Sequence, residues 1–370
     1  MRIAFDHQTF TLQSYGGISR YFVRLAQGLA TQGIESRVVA PIHRNRYLRE
    51  LPARQVWGME ARSFPPRTHR AIMWLNEHVG SLPVRRFRPD LIHETYYARR
   101  SFSTSAAARV VTVYDMIHER FPAELGARDQ TSSLKRLALQ RANHIISISH
   151  STKKDLCELF SIAPDKVSVV HLGVDRLRDS GETQTGSLPG DRPFILYVGN
   201  RGGYKNFAGL LRAYASNQAL RTEVKLFAFG GGAFRPEEIE LMRELGLQDN
   251  VHQFGGDDQV LGTLYRAARA LVYPSKYEGF GLPPLEAMAL NCPVAASNTS
   301  SMPEIIGDAG KLFDPENEDA MVAAISEVVF DSKQRANLIQ KGQLRVAAFS
   351  WDRCATETAA VYRAVLAKQA

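Results

Sequence analysis

Two glutamates eight positions apart, Glu278 and Glu286, bracket the stretch whose residue types and spacing point most directly to chemistry. They lie within Pro274–Pro293, PSKYEGFGLPPLEAMALNCP, behind the apolar run Ala270–Tyr273, which reads as a buried strand. Gly279 and Gly281 permit a tight turn that side chains would obstruct. Pro283 and Pro284 suit the first turn of a helix, where a backbone N–H is expendable. Leu285, Met288 and Ala289 follow at helical spacing. The pattern is strand, glycine turn and helix, with Glu278 in the turn and Glu286 near the helix start. Open α/β sheets bind ligands at such turns, and a helix start holds anions on its free N–H groups. A carboxylate at Glu286 suits a ribose diol there, and one at Glu278 a sugar hydroxyl. The same spacing equally fits a solvated loop residue at Glu278 and a dipole-favoured helix carboxylate at Glu286.

The elements that must position these residues form two alternating series. Before residue 178 the strands read as Ile3–Phe5, Arg37–Ala40, Leu91–His93, Val110–Tyr114, His144–Ile148 and Val167–His171, with helices at Ser19–Thr31, Arg67–Ser81, Ser132–Arg141 and Ser151–Phe160. Ser151 looks like the N-cap of the last. Arg44–Pro66 has no clear period and reads as a long loop or mobile flap. A polar, turn-rich linker, residues 179–191, follows. The second series has strands at Phe194–Val198, Lys225–Phe229, Val251–Phe254, Ala270–Tyr273, Val294–Ala296 and Lys311–Phe313. Its helices are Phe207–Ser216, Pro236–Leu245, Gln259–Ala268, Leu282–Leu290, Glu318–Phe330 and Lys333–Ala348. The expectation is an α/β protein of two doubly wound domains, 1–178 and 192–350, facing across a cleft.

Composition narrows the class. With 370 residues, 44% hydrophobic and 23% charged, the chain has the makeup of an ordinary soluble protein of two domains. Met1 leads straight into Arg2–Phe5, so no signal peptide is expected, and no run approaches the ~20 apolar residues a membrane span needs. Cys157, Cys292 and Cys354 are isolated and odd in number, which suggests reduced thiols in a cytosol. The net charge of +8 is uneven: residues 1–178 carry 27 Lys and Arg against 15 Asp and Glu, whereas the remainder is net acidic. The excess is densest over Arg44–Arg100. A basic half suits an anionic membrane or a diphosphate-bearing acceptor. Nucleic acid is disfavoured, because the arginines lack interleaved stacking aromatics and no DNA-binding motif is visible.

Glu278-Gly279-Phe280-Gly281-Leu282-Pro283, Leu285-Glu286-Ala287 and Cys292-Pro293-Val294 closely resemble the signature of the retaining glycosyltransferases of family 4, nucleotide-sugar-dependent enzymes of the GT-B fold. The likeness spans nearly the whole chain and is strongest over residues 194–313. It implies that Glu286 holds the donor's ribose and Glu278 its sugar. In Val198–Asn206 it implies that Arg201 and Lys205, beside Gly199, hold the diphosphate. Breaking a sugar–phosphate bond develops negative charge on the departing diphosphate, which fixed cations stabilise most in the transition state. Gly16 and Gly17 resemble the family's glycine loop near donor diphosphate and acceptor, and Gly230, in Phe229–Gly232, its turn beside the base. Many relatives carry histidine where Tyr114 stands. His118 or Asp115 takes over that role on the acceptor side, or His118 is merely a surface histidine. The resemblance also implies that residues 351–370 form a helix crossing back to the first domain.

The implied reaction is a retaining transfer of a hexose, with no protein nucleophile, no cofactor and no metal. Asp257 and Asp258 read as helix caps and not as ligands. GGISRYF and VYDMIHERFP look most like bacterial O-antigen and lipopolysaccharide mannosyl- or rhamnosyltransferases. That suggests GDP-mannose as donor and a polyprenyl-diphosphate-linked saccharide as acceptor, in a cytoplasmic protein peripheral on the inner membrane face. The competing readings are a transferase or epimerase using a UDP-sugar, and a nucleotide-sugar-binding protein without turnover.

Overall fold

The computed structural model describes residues 1–102, 107–126, 128–175 and 192–369. They form two units, Met1–Gly173 with Ser350–Ala370, and Val174–Phe349. The linker expected at 179–191 lies outside the described residues.

Unit 1 contains seven strands: β1 Arg2–Phe5, β2 Glu35–His43, β3 Val56–Glu60, β4 Leu91–Glu94, β5 Ala108–Val113, β6 His144–Ser147 and β7 Val167–Val169. They pair in parallel in the order β3-β2-β1-β4-β5-β6-β7. Ile3, Ala4 and Phe5 are wholly buried, as a central strand covered on both faces requires. β3 falls inside the stretch expected to be a loop. Its residues Val-Trp-Gly-Met-Glu sit on an edge with three exposed, so neither burial nor alternation marks them as a strand. Gly58 is indispensable there, because a Cβ would stand 1.7 Å from the Ala40 carbonyl oxygen. The helix starting near Arg67 runs on past Ser81, over His69–Phe87, with Pro83 inside it. Proline breaks a helix mainly by orphaning the carbonyl four residues back; here that residue is Val79, which faces water. The cap of the helix His150–Phe160 is Ser149, not Ser151: its side chain accepts from the Thr152 N–H.

The last helix, Trp351–Ala367, packs on Gly17–Thr31, where Gly28 leaves room for the Ala355 methyl. It also delivers Tyr362 to the core. The Tyr362 hydroxyl lies 2.6 Å from His93 Nδ1, and Thr112 Oγ1 lies 2.8 Å from His93 Nε2. Burial drives His93 down to about 3, and does the same to His7. Both imidazoles are neutral in the fold and would ionise if released. The stability they contribute is therefore complete above pH ~6.5 and is lost as pH falls toward 3. Buried Asp6, raised to about 7 by desolvation and then by Glu94, acts in the opposite sense between its ordinary value and 7. Two histidines outweigh one carboxyl, so the melting temperature is expected to fall steeply between pH 6 and 4. A flat profile there would refute this account.

Unit 2 has β8 Phe194–Val198, β9 Lys225–Phe229, β10 Val251–Phe254, β11 Ala270–Tyr273, β12 Val294–Ser297 and β13 Lys311–Phe313, all parallel, in the order β10-β9-β8-β11-β12-β13. Its core joins Tyr197, Leu226 and Val272 from the sheet to Leu210, Tyr214, Ile325 and Val328 from the helices Phe207–Ser216 and Glu318–Phe330. The order reverses between β8 and β11, which is where a doubly wound sheet opens a crevice at its carboxyl ends.

Candidate functional site

At that switch point in unit 2 the chain leaves β8 through Gly199 and a single 3-10 turn, Gly203–Lys205. Asn206, left-handed at φ 56°, then redirects it into the helix Phe207–Ser216. The adjacent strand β11 ends at Tyr273 and enters the turn carrying Glu278. Lys205 Nζ meets Glu278 Oε1 at 2.6 Å, with both side chains largely covered. The Lys276 N–H donates to the Tyr204 carbonyl at 2.7 Å, joining the two turns directly. The ammonium also sits over the ring of Tyr273, 5.8 Å from its centroid. Burial first, then Glu278, pushes the Tyr273 phenol well up, so it stays protonated and donates to that carboxylate. A lysine so held can re-pair with an arriving phosphate, leaving the carboxylate to accept from hydroxyls.

The Glu278 turn is held from behind. Ser300 Oγ lies 2.5 Å from the Glu278 carbonyl, and Ser301 Oγ is within reach of the carbonyls of Glu278, at 2.9 Å, and Phe280, at 2.6 Å. Thr299 Oγ1 donates to the Lys276 carbonyl at 2.9 Å. Gly279 and Phe280 are buried, Phe280 edge-on to Phe349. Gly281, at φ 122°, packs where a Cβ would stand 2.5 Å from Met302 Cε. The helix Leu282–Ala289 starts there. Pro283 and Pro284 follow its first residue and carry no N–H, so this end offers an anion fewer donors than an ordinary helix start. Glu286 accepts from the Tyr265 hydroxyl at 3.2 Å, a phenol kept protonated by burial and by Glu286 itself.

Arg201 is placed differently from an open loop cation. Its side chain is 2% exposed. Nε lies 3.2 Å from both oxygens of Glu238, Nη1 donates to the Gly230 carbonyl at 2.6 Å, and Nη2 to those of Gly232 at 3.0 Å and Ala233 at 2.8 Å. The guanidinium also stacks on Phe234, 4.9 Å from its centroid. It thus fastens the left-handed glycine turn Gly230–Gly232 to the end of β8 and is turned toward protein acceptors. Glu238 is oriented in turn by the Arg235 N–H, at 2.7 Å.

In unit 1 a short helix, Gln8–Leu12, intervenes between β1 and the glycine loop. Gly16 makes room for the Gln13 amide, whose Oε1 accepts from Ser19 N at 3.3 Å, and Gly17 opens the helix Gly17–Thr31. Tyr114 is turned inward, its hydroxyl donating to the Thr95 carbonyl at 2.9 Å, with burial holding the phenol well up. It therefore does not offer a side chain to a ligand in the manner of a histidine at that place. Asp115 caps the next turn by accepting from Ile117 N at 3.0 Å. His118 pairs with Asp129 at 2.7 Å and lines a hollow of about 350 Å³ with Arg136 and Phe160. Buried Lys135, bonded to the Asp115 carbonyl at 2.9 Å and to Glu119 at 2.7 Å, fixes the whole segment.

Sequence reasoning missed Glu238, Lys135, Tyr265 and Tyr273 as supports. Glu238, Lys135 and Tyr265 act on partners well outside their own turn or helix, so spacing alone does not expose them.

Residues 15–178 match the family described as Glycosyltransferase Family 4, and residues 182–345 the one described as Glycosyl transferases group 1. The O-antigen chain mannosyltransferase B of Escherichia coli is 33% identical over 239 residues, 61% of this chain and 62% of that protein. The MMP alpha-(1->4)-mannosyltransferase of Mycolicibacterium hassiacum is 32% identical over 248 residues, 64% of this chain and 57% of that protein. The chain thus spans less than two thirds of the length of either curated relative. Among solved structures, a sucrose-phosphate synthase from Thermosynechococcus elongatus matches with a TM-score of 0.78 at 22% identity, covering 100% of both chains, a likeness that shows the fold. The two parallel sheets are those of the GT-B fold, and with both halves matched the chain belongs to the glycosyltransferases.

Proposed function

We propose that the protein is a retaining α-glycosyltransferase that moves mannose from GDP-mannose to a saccharide acceptor in bacterial surface polysaccharide synthesis. The observation that carries this reading is the Lys205–Glu278 pair at the switch point of unit 2. Lys205 receives the donor's diphosphate, Glu278 the transferred sugar and Glu286 the ribose. Arg201 acts through the Gly230 turn that it shapes. The bond from the anomeric carbon to the diphosphate oxygen breaks, and a bond to the acceptor hydroxyl forms on the same face. The hydroxyl proton passes to the leaving phosphate, giving GDP and a lengthened saccharide. Lysine takes the charge role that a metal would otherwise fill, and no cofactor is needed. Similarity to an O-antigen mannosyltransferase supports the choice of mannose. The basic first half supports a polyprenyl-diphosphate-linked acceptor and peripheral contact with an anionic membrane. No helix of the described residues is long and apolar enough to cross one.

A thermal-shift screen against GDP, UDP, ADP, TDP and their sugars, with EDTA present, tests the donor. A ligand that binds only the folded state stabilises by ~2.7 kcal/mol at a hundredfold excess over its Kd. GDP and GDP-mannose are expected to raise the melting temperature. A response confined to UDP species would overturn the donor, and none at all would count against both the transferase and the nucleotide-sugar-binding readings unless the acceptor must bind first.

A further inference from the structure

The helix His69–Phe87 turns the wrong kind of face to water. Its inner side buries Asn76, Gly80, Pro83, Val84 and Phe87. Outward lie Ala71, Trp74, Leu75, His78, Val79 and Leu82, spaced as one helical stripe. Trp74 is 60% exposed and Leu82 75%, where a solvated helix would carry Lys or Glu. Charge surrounds this ridge. Residues 61–88 hold six arginines, clustered toward the two ends of the helix, against the single acid Glu77. Beside Leu82 is a hollow of about 340 Å³ where Arg85, Arg100, His78 and the hydroxyls of Ser81 and Ser101 gather, with Glu77 at its side. That is a recess with donors for a phosphate headgroup, directly against apolar surface. Near the other edge, Trp57 shares a hollow with Arg86.

We propose that this face of unit 1 seats the protein on an anionic lipid bilayer, with the helix in the plane of the headgroups and Trp74, Leu75, Val79 and Leu82 entering the acyl boundary. An apolar stripe flanked by arginine and carrying tryptophan is what interfacial helices use, combining buried area with attraction to anionic lipid. Nucleic acid fits poorly, since aliphatic Leu75, Val79 and Leu82 offer bases no stacking surface. The proposal rests on the peripheral-membrane part of the function above and names the surface. It also has a mechanical corollary. The Asn76 amide donates to Thr11 Oγ1 at 2.9 Å and to the Ile42 carbonyl at 2.8 Å. The helix is thereby bolted to Gln8–Leu12, which leads into the Gly16–Gly17 loop, so seating it fixes that loop's height over the headgroups.

Flotation of the purified full chain with vesicles of phosphatidylglycerol and phosphatidylcholine in equal parts, and of phosphatidylcholine alone, is the test. Binding is expected to the anionic vesicles, weakening with salt. The pair Arg70→Gln and Arg86→Gln should weaken it about fivefold per charge, the equivalent of ~1 kcal/mol each. Trp74→Ser with Leu82→Ser should weaken it on the order of tenfold or more even at low salt, because apolar area is lost. Melting curves confirm that these exposed substitutions leave the fold intact. If the parent chain ignores anionic vesicles, both this surface and the peripheral-membrane reading fall. If it binds and the variants bind equally, this surface alone falls. A concentration-dependent dimer abolished by Trp74→Ser, without vesicle binding, would assign the ridge to a second copy instead.

Discussion

Lys205→Ala is expected to lower turnover by about 10²–10³-fold, the loss seen when one preorganised group facing developing charge is removed, and to raise the KM for the donor as well. Glu278 holds the ammonium at 2.6 Å, beside the place assigned to the diphosphate, and re-pairing with that group puts the cation in position before negative charge grows on it. Glu278→Gln should cut kcat more than it weakens GDP binding, since its assigned contact is with the sugar. The two residues touch, so their effects should be strongly non-additive, the double variant being little worse than Lys205→Ala alone. Steady-state kinetics and GDP titration of the three variants decide the matter. Unchanged kinetics for Lys205→Ala would remove it from the site. Equal losses of kcat and GDP affinity for Glu278→Gln would count against its contact with the sugar.

Arg201→Ala is expected to destabilise unit 2 by ~3–5 kcal/mol, because Glu238 is left as a buried charge without its main partner. The Arg235 guanidinium, 3.0 Å from Glu238, tempers this toward the lower figure. Arg201→Lys should recover little, since an ammonium cannot reach Glu238 and several carbonyls in one plane. Removing both charges, as Arg201→Met with Glu238→Leu, should restore much of the stability. The measurement is a urea melt of each variant together with GDP binding by the restored double variant. Undiminished stability in Arg201→Ala would overturn the anchoring role. A stable double variant that binds GDP as tightly as the parent would overturn the role assigned to Arg201 through the Gly230 turn.

Much of the site was readable because its two key turns are short and self-contained. Apolar β8 and β11, the glycines after them and the helix starts behind them are all local signals. The expected strand of Phe194–Val198 coincides with the observed one, and so does Ala270–Tyr273. What was not readable depends on where side chains turn in three dimensions. Arg201 sits in a loop of glycines and polar residues that looks exposed, yet Glu238 and Phe234, more than thirty positions on, draw it inside. Tyr114 occupies the place of a ligand-facing residue but follows the inward direction of its strand to Thr95. β3 was missed because an edge strand with both faces wet carries no pattern of burial.

The placement of Trp351–Ala367 in unit 1 has a consequence for how the protein is made. The Val174 N–H donates to the Phe349 carbonyl at 3.1 Å, so the chain begins and ends unit 2 at one point, and that unit is a continuous segment. Unit 1 is not. On the ribosome Val174–Phe349 has all its residues before the helix that carries Tyr362 has been synthesised, and until then His93 lacks its hydroxyl partner. Domains ordinarily complete in the order they emerge. Here the first to emerge is the last to close, and a nascent chain stalled short of Trp351 would hold a finished second unit and an unsealed first.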